Sequence, residues 1–233
     1  MFYLITLLGY YKTMLKTKFT FHYLTLLIAY SGFLSANTGK TYIIEPYIGA
    51  EYGTWSQNQT ITSGSTQTTY NLEGNSLGYF FGAKAFYIWR GMFLIGADYQ
   101  MGSITQKYAQ DENTTVDDNF QDASGSTSGG GLSFGVFKDL WSFKFSYFPI
   151  NKLVTEKGIV TGNSELTYSG SAIIFNFSYT IRPMVNLNLE YVANSYSELE
   201  SGSSSTAIPG SLGGVAYGDQ SNTSFRLYTS FPF

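Results

Sequence analysis

Ser224-Phe225-Arg226-Leu227-Tyr228-Thr229-Ser230-Phe231-Pro232-Phe233, the C-terminal stretch of the chain, alternates in character from one residue to the next. Phe225 begins a set of mostly apolar residues at every second position, and Arg226 begins the mostly polar set between them. The side chains of a β-strand point to opposite faces with a period of two, so this pattern predicts a strand with one apolar and one polar side. An exposed terminal Phe is unusual in a soluble chain, because chain ends are usually solvated.

A terminal aromatic residue preceded by apolar residues at every second position resembles the closing strand of bacterial outer-membrane β-barrels. The resemblance implies that Phe225, Leu227, Phe231 and Phe233 form the signal by which the barrel assembly machinery recognises the chain. It also implies a location in the bacterial outer membrane, with membrane lipid and lipopolysaccharide as the partners of the outer surface.

The composition agrees with a barrel whose outer face meets lipid. Charged residues make up 12% of the 233 residues, aromatic residues make up 18%, and there are 25 glycines. The charged fraction is well below the roughly 25% of soluble domains. The body of the chain contains no apolar run of about 20 residues, which a membrane helix needs. A soluble β-sandwich, which uses similar short alternating strands, is the alternative.

The first 36 residues have the features of a secretory signal peptide. Lys12, Lys16 and Lys18 precede the mostly apolar run 19–30, and the segment 31–36 follows and ends in the small residues Ser35 and Ala36. This order predicts cleavage after Ala36, with residues 1–13 as an extension upstream of a start at Met14. A retained membrane anchor is the alternative. Removing three lysines leaves 10 basic and 16 acidic residues in the mature chain 37–233, and such an acidic balance argues against nucleic acid as a partner.

Alternation like that of the last strand recurs along the mature chain. It predicts eight strands, at 41–54, 77–89, 93–102, 132–136, 143–147, 173–181, 185–194 and 224–233. Three of the connections are short, at Arg90-Gly91, Asp139-Leu140 and Arg182-Pro183. The other four are long polar spacers, at 55–76, 106–129, 149–163 and 195–222.

The strict exchange of long and short connections decides between the fold classes. With eight strands, the three short turns and both chain ends lie on one side, and the four long loops lie on the other. That arrangement is typical of outer-membrane barrels. The sequence therefore predicts an all-β fold, an eight-stranded antiparallel transmembrane up-and-down β-barrel. The mature chain resembles the small outer-membrane proteins of the porin family that include OmpA-type membrane domains and OmpX.

Charged residues fall on the inward face of the predicted strands. Eight strands enclose an interior just wide enough for side chains to fill it, so these charges are expected to pair with one another. A narrow channel for ions or small polar solutes is the alternative. In the second hairpin, a turn centred on Gly91 places Lys84 opposite Asp98. The predicted ion-pair network comprises Glu45, Glu51, Lys84, Asp98, Lys144, Glu190 and Arg226.

Few residues are available for catalysis. The chain has no Cys, and its single His, His22, lies in the predicted signal peptide. The sequence therefore predicts a protein that is not an enzyme and that holds no metal or cofactor, with a lipid-acting enzyme based on an inward carboxylate as the alternative. Clustered carboxylates in the second spacer predict a solvated acidic loop, with Ca²⁺ binding as the alternative: Asp111, Glu112, Asp117, Asp118 and Asp122.

The function predicted from these features is that of an integral outer-membrane barrel with a filled lumen and four exposed loops. Such a protein has a structural role or a role in adhesion and host interaction. An extracellular or host ligand would then bind at the loops, because loops on a rigid scaffold carry exposed functions.

Overall fold

Antiparallel β-strands make up most of the part of the chain that the structure describes. The structure is a computed structural model, and it describes residues 41–63, 65–109, 122–155, 165–212 and 215–233. No helix among these residues is long and apolar enough to cross a membrane. The strands are β1 (Tyr42–Ser63), β2 (Thr66–Trp89), β3 (Phe93–Ala109), β4 (Ala123–Lys138), β5 (Trp141–Thr155), β6 (Leu166–Arg182), β7 (Val185–Ser201), β8 (Ser204–Ala207), β9 (Gly210–Leu212) and β10 (Val215–Ser230).

Eight of these strands form a closed ring. Each of β1 to β7 pairs with its neighbour in the chain, and β10 pairs with both β7 and β1. Closure gives every barrel strand two partners, which removes the free sheet edge that would otherwise invite aggregation. The short strands β8 and β9 are not part of the ring. They pair with the loop-side ends of β7 and β10. The predicted eight-stranded antiparallel up-and-down barrel is confirmed, although β8 and β9 were not predicted.

The three short turns lie where the sequence predicts them. Arg90, Gly91 and Asp139 have φ angles of 52°, 74° and 55°. Positive φ at the central residues produces the tight hairpin turns whose twist matches that of the flanking strands. The third turn joins β6 to β7 through Pro183 and Met184. We refer to this end of the barrel as the turn side and to the opposite end as the loop side.

The strands reach much further toward the loop side than predicted. The predicted spacer 55–76 is wrong as a loop, because β1 and β2 stay paired from Tyr42 opposite Tyr87 to Ser63 opposite Thr66. This hairpin is rich in Thr, which favours strands without making them apolar. The outer faces of this upper part carry polar residues. The apolar alternation that marks a strand in lipid is therefore missing from the sequence here.

The other three predicted spacers are also partly strand. β3 continues to Ala109, β5 to Thr155 and β7 to Ser201, while β10 begins at Val215. The predicted signal peptide lies outside the described residues, as do Asp111, Glu112, Asp117 and Asp118 of the acidic loop. β10 ends at Ser230, three residues before the predicted end.

Large apolar side chains cover the outer face of the barrel in a band, which we term the outer belt. Its members point away from the lumen and are 36–68% exposed. Such a surface suits contact with lipid. The turn-side rim carries aromatic pairs, with ring centroids 5.4 Å apart for Tyr42 and Tyr87 and 4.4 Å apart for Trp141 and Tyr179. The belt includes Ile44, Ile48, Phe81, Ile95, Leu132, Phe134, Phe143, Phe145, Phe175, Leu187, Leu189, Phe225 and Leu227.

Candidate functional site: the lumen

The inward face of the barrel brings together all seven predicted lumen charges. Alternation along each strand turns them away from the outer belt, and each is at most 5% exposed. They come from six of the eight barrel strands, so only ring closure places them side by side. We refer to them together as the charged network: Glu45, Glu51, Lys84, Asp98, Lys144, Glu190 and Arg226.

Lys84 lies at the centre of the network. The register of β2 and β3 places it directly opposite Asp98, and its Nζ lies 3.7 Å from Asp98 Oδ2. A closer carboxylate comes from β7, since Lys84 Nζ lies 2.8 Å from Glu190 Oε1. Lys84 also donates a hydrogen bond to the Tyr228 hydroxyl, at 2.6 Å. Lys84 therefore joins two carboxylates, and Glu190 is the nearer partner.

Arg226 on β10 joins this group to β1 and β3. Its Nε donates to Glu51 Oε2 at 2.6 Å, and its Nη1 donates to Gln100 Oε1 at 2.7 Å. Nη1 also lies 3.8 Å from Glu190 Oε2, so Glu190 connects Arg226 with Lys84. The guanidinium packs over the Phe80 ring at 4.6 Å, a favourable cation–π contact.

Three aromatic rings fill the space between these charges. The ring centroids of Tyr47, Phe80 and Tyr228 lie 5.1–5.9 Å apart, and Lys84 Nζ lies 5.1 Å from the centroids of both tyrosine rings. Tyr47 donates its hydroxyl to Asp98 Oδ1 at 2.7 Å. The predicted network does not include Tyr47, Tyr228 or Gln100, which is the Arg226 partner on β3. Their inward position in the strand alternation was the available signal.

A second ion pair lies closer to the turn side. Lys144 Nζ lies 2.8 Å from Glu45 Oε2, and Asn186 Nδ2 donates to Glu45 Oε1 at 3.2 Å. The Ser230 hydroxyl is also bonded to Glu45. Around this pair, inward amides and hydroxyls form a hydrogen-bonded layer that includes Asn188, whose Nδ2 donates to Ser230 Oγ at 2.8 Å.

The network is an almost balanced set of buried charges. Three cations face four carboxylates, and each of the seven takes part in an ion pair. Withdrawal of a charge from water is costly, so a buried charge persists only when it is paired and hydrogen-bonded. In the part of the chain that the structure describes, no group of three or more His, Cys, Asp or Glu residues could hold a metal ion.

An apolar cluster, which we term the apolar cap, fills the lumen on the loop side. It lies largely within the predicted spacers, where a few Leu, Ile and Tyr residues among polar neighbours are the available signal. The cap consists of Ile104, Leu153, Leu166, Tyr168, Tyr196, Leu199, Ile208 and Tyr217.

Comparison with known proteins finds solved structures with a similar fold. No protein-family model matches the chain, and no curated protein matches it. The solid-state NMR structure of the outer membrane protein AlkL superposes with a TM-score of 0.50 at 12% identity, over 85% of this chain and 92% of that one. OprG from Pseudomonas aeruginosa gives 0.46 at 10% identity, over 81% and 95%. Neisserial surface protein A gives 0.41 at 13% identity, over 81% and 97%.

One expectation is corrected by this comparison. The prediction that the protein is not an enzyme is wrong as a general exclusion, because the structures with a similar fold include the outer membrane protease OmpT from Escherichia coli. The similarity has a TM-score of 0.40 at 10% identity, over 85% of this chain and 100% of that one. The fold by itself therefore neither assigns nor excludes an enzymatic activity.

The fold and the comparison agree on the broad class of protein. The barrel is closed, its outer belt is apolar, and its lumen is polar, as in barrels that span the outer membrane. The structural neighbours are all bacterial outer-membrane β-barrel proteins, in agreement with the predicted location. The chain has the fold of the bacterial outer-membrane β-barrels.

Proposed function

We propose that the protein is a small surface protein of the outer membrane whose lumen is a structural plug and whose role lies on the loop side, in adhesion or host interaction. The proposed role is one that the resemblance of the mature chain to OmpX-like and OmpA-type barrels implies. The filling of the lumen is the observation that carries the proposal.

Three layers of side chains support a closed lumen. Asn188 and its hydrogen-bonded neighbours lie near the turn side, the charged network lies in the middle, and the apolar cap lies near the loop side. Side chains of these sizes fill an eight-stranded interior. Fixed ion pairs and a buried apolar layer both oppose the passage of hydrated ions.

The upper part of the β1–β2 hairpin supports a role in binding. Beyond the outer belt, its outward side chains are exposed, polar and mostly uncharged, as in Thr54, Asn58, Thr69, Asn71 and Asn75. Hydroxyl and amide groups on a rigid sheet suit hydrogen bonds to a polar extracellular ligand. A sheet also holds these groups at a fixed spacing, which lowers the entropy that a partner loses on binding.

The closing strand supports recognition by the barrel assembly machinery. Phe225 and Leu227 are 61% and 57% exposed on the outer face of β10, while Arg226 is buried in the lumen. We include Phe231 and Phe233 in this proposed signal on the basis of the sequence pattern. Lipid and lipopolysaccharide are the proposed partners of the remaining outer surface.

An adhesion assay tests the proposal. In bacteria that display the protein, the combined variant Asn58→Ala, Thr69→Ala and Asn71→Ala removes three of these exposed polar groups and keeps the paired strands β1 and β2. We expect binding to immobilised matrix proteins and epithelial cells to fall to the level of the empty vector, while the folded barrel still shifts in gel mobility on heating. Arg90→Asn, in a turn on the other side, is the matched control and should leave adhesion unchanged.

Two results would contradict the proposal. Adhesion by the wild-type protein no greater than that of the empty vector would remove the binding role. Discrete single-channel steps from the purified wild-type protein in planar bilayers would show that the lumen conducts, as in the channel hypothesis.

A further inference from the structure

Unpaired polar atoms are concentrated in one part of the lumen. Among the residues that the structure describes, seven fully buried side-chain N and O atoms have no hydrogen-bond partner. All seven lie on β1, β2, β3 and β10, on residues that are 1–2% exposed. They are Gln59 Oε1, Ser76 Oγ, Gln106 Nε2 and Oε1, Gln220 Nε2, Asn222 Oδ1 and Ser224 Oγ.

The sheet register places four of these atoms in one row. Ser224 is opposite Gly53, Gly53 is opposite Ser76, and Ser76 is opposite Gln106. Gly53 has no side chain, so the side chains that line the row are those of Ser224, Ser76 and Gln106. Asn222 lies one inward position above Ser224, directly opposite Trp55.

The row is next to both the charged network and the apolar cap. Arg226 and Glu51 of the charged network lie one inward position below Ser224 and Gly53 on the same strands. Ile104 of the apolar cap lies one inward position from Gln106 on β3, toward the turn side. The row itself contains no charged side chain, so its partner must be neutral.

The polar groups of the row also show which hydrogen bonds the partner must make. Buried polar groups in native proteins are almost always hydrogen-bonded, to the protein or to ordered water. Gln106 presents both a donor and an acceptor, and Ser76 and Ser224 present hydroxyls that can do either. The partner must therefore donate and accept several hydrogen bonds within a small space. Water meets these requirements, and buried waters commonly make about three hydrogen bonds each.

We propose that this row is an internal hydration site, which holds a cluster of ordered waters next to the charged network and the apolar cap. The waters bond Ser76, Gln106 and Ser224, and the next row, with Asn222, extends the site toward the loop side. On β1 and β2, the buried side chains of Trp55 and Leu72 lie on the loop side of the row. The site is thus a hydrated layer inside a closed lumen, and it does not depend on the proposed adhesion.

NMR spectroscopy of the ¹⁵N-labelled protein in lipid nanodiscs tests this proposal. The Gln106 side-chain amide is assigned from the signal that Gln106→Leu removes, and its cross-relaxation with water is measured. We expect a cross-peak to water at Gln106, comparable with that of the exposed amide of Asn75. The buried amide of Asn151, which donates to Asn194 Oδ1 at 3.0 Å, is the dry control and should show none.

A second variant separates water from the neighbouring hydroxyl. In Ser76→Ala, a bound water still gives the Gln106 cross-peak, whereas a signal relayed through the Ser76 hydroxyl disappears. Should Gln106→Leu fail to fold, the amide is assigned through its own glutamine spin system and Ser76→Ala carries the test. A missing cross-peak in the wild type, or its loss in Ser76→Ala, would overturn the proposal. So would a small neutral solute found by native mass spectrometry on the wild type and absent from Gln106→Leu.

Discussion

Lys84 shows how much of a buried network follows from the sequence at the scale of single residues. Its partner across the hairpin, Asp98, follows from the turn at Gly91, because the sum of the residue numbers is constant along an antiparallel pair. Its nearer partner, Glu190, lies on a strand that is not adjacent to β2. Contacts across the lumen depend on the curvature and stagger of the closed barrel, which no local pattern specifies.

A pair of double-mutant cycles distinguishes these two partners. Lys84→Ala should destabilise the barrel by about 3–5 kcal/mol, because it leaves buried carboxylates without their cation. We expect the coupling energy of Lys84 with Glu190 to exceed that with Asp98, since the distances are 2.8 Å and 3.7 Å. Urea unfolding in lipid vesicles, followed by gel mobility, measures both. Equal couplings, or a larger one with Asp98, would contradict this ranking.

At the scale of the strand, the environment on each face decides whether the strand can be predicted from its sequence. Phe143, Phe145 and Tyr147 alternate with inward residues because lipid lies on one side and a polar lumen on the other. Strand segments in lipid were therefore predictable. Thr60 and Thr69 pair just as regularly, but the outer face there is polar, so no apolar period marks the strand. The apolar cap was missed for the related reason that its residues are scattered over several such segments.

The outer belt predicts where a charge is tolerated. Phe145→Arg places a cation against hydrocarbon and should cost about 2–4 kcal/mol near the membrane midplane. Asn75→Arg is the matched change on an exposed outward residue above the belt, and it should cost much less. Unfolding of both variants in lipid vesicles gives the comparison. Similar costs for the two would mean that the belt does not mark the membrane.

The apolar cap predicts a second contrast. Leu199 is completely buried in the cap, so Leu199→Ala should lower the free energy of unfolding by about 2–5 kcal/mol. Leu132 is 58% exposed in the outer belt, and Leu132→Ala should have a smaller effect because lipid can fill the space. The same vesicle assay measures both variants. An equal loss at the two sites would show that the cap is loosely packed.

At the scale of the whole molecule, the N-terminal segment gives the simplest prediction. Protein isolated from outer membranes should begin at Asn37, because the charged, apolar and small-residue segments before it follow the order of a signal peptide. N-terminal sequencing measures this directly. Recovery of residues preceding His22 on the mature protein would contradict cleavage and favour a retained anchor.

The pairing of β1 with β10 has a consequence for biogenesis. Tyr47 and Ser230 are directly opposite each other in the sheet, although almost the whole barrel sequence separates them. Loop closure over such a distance is slow, and contacts between distant residues delay folding. The edge of β1 therefore stays open during folding until β10 pairs with it. A chain that stops before Val215 would keep two open edges, and we expect periplasmic chaperones to retain it and proteases to degrade it.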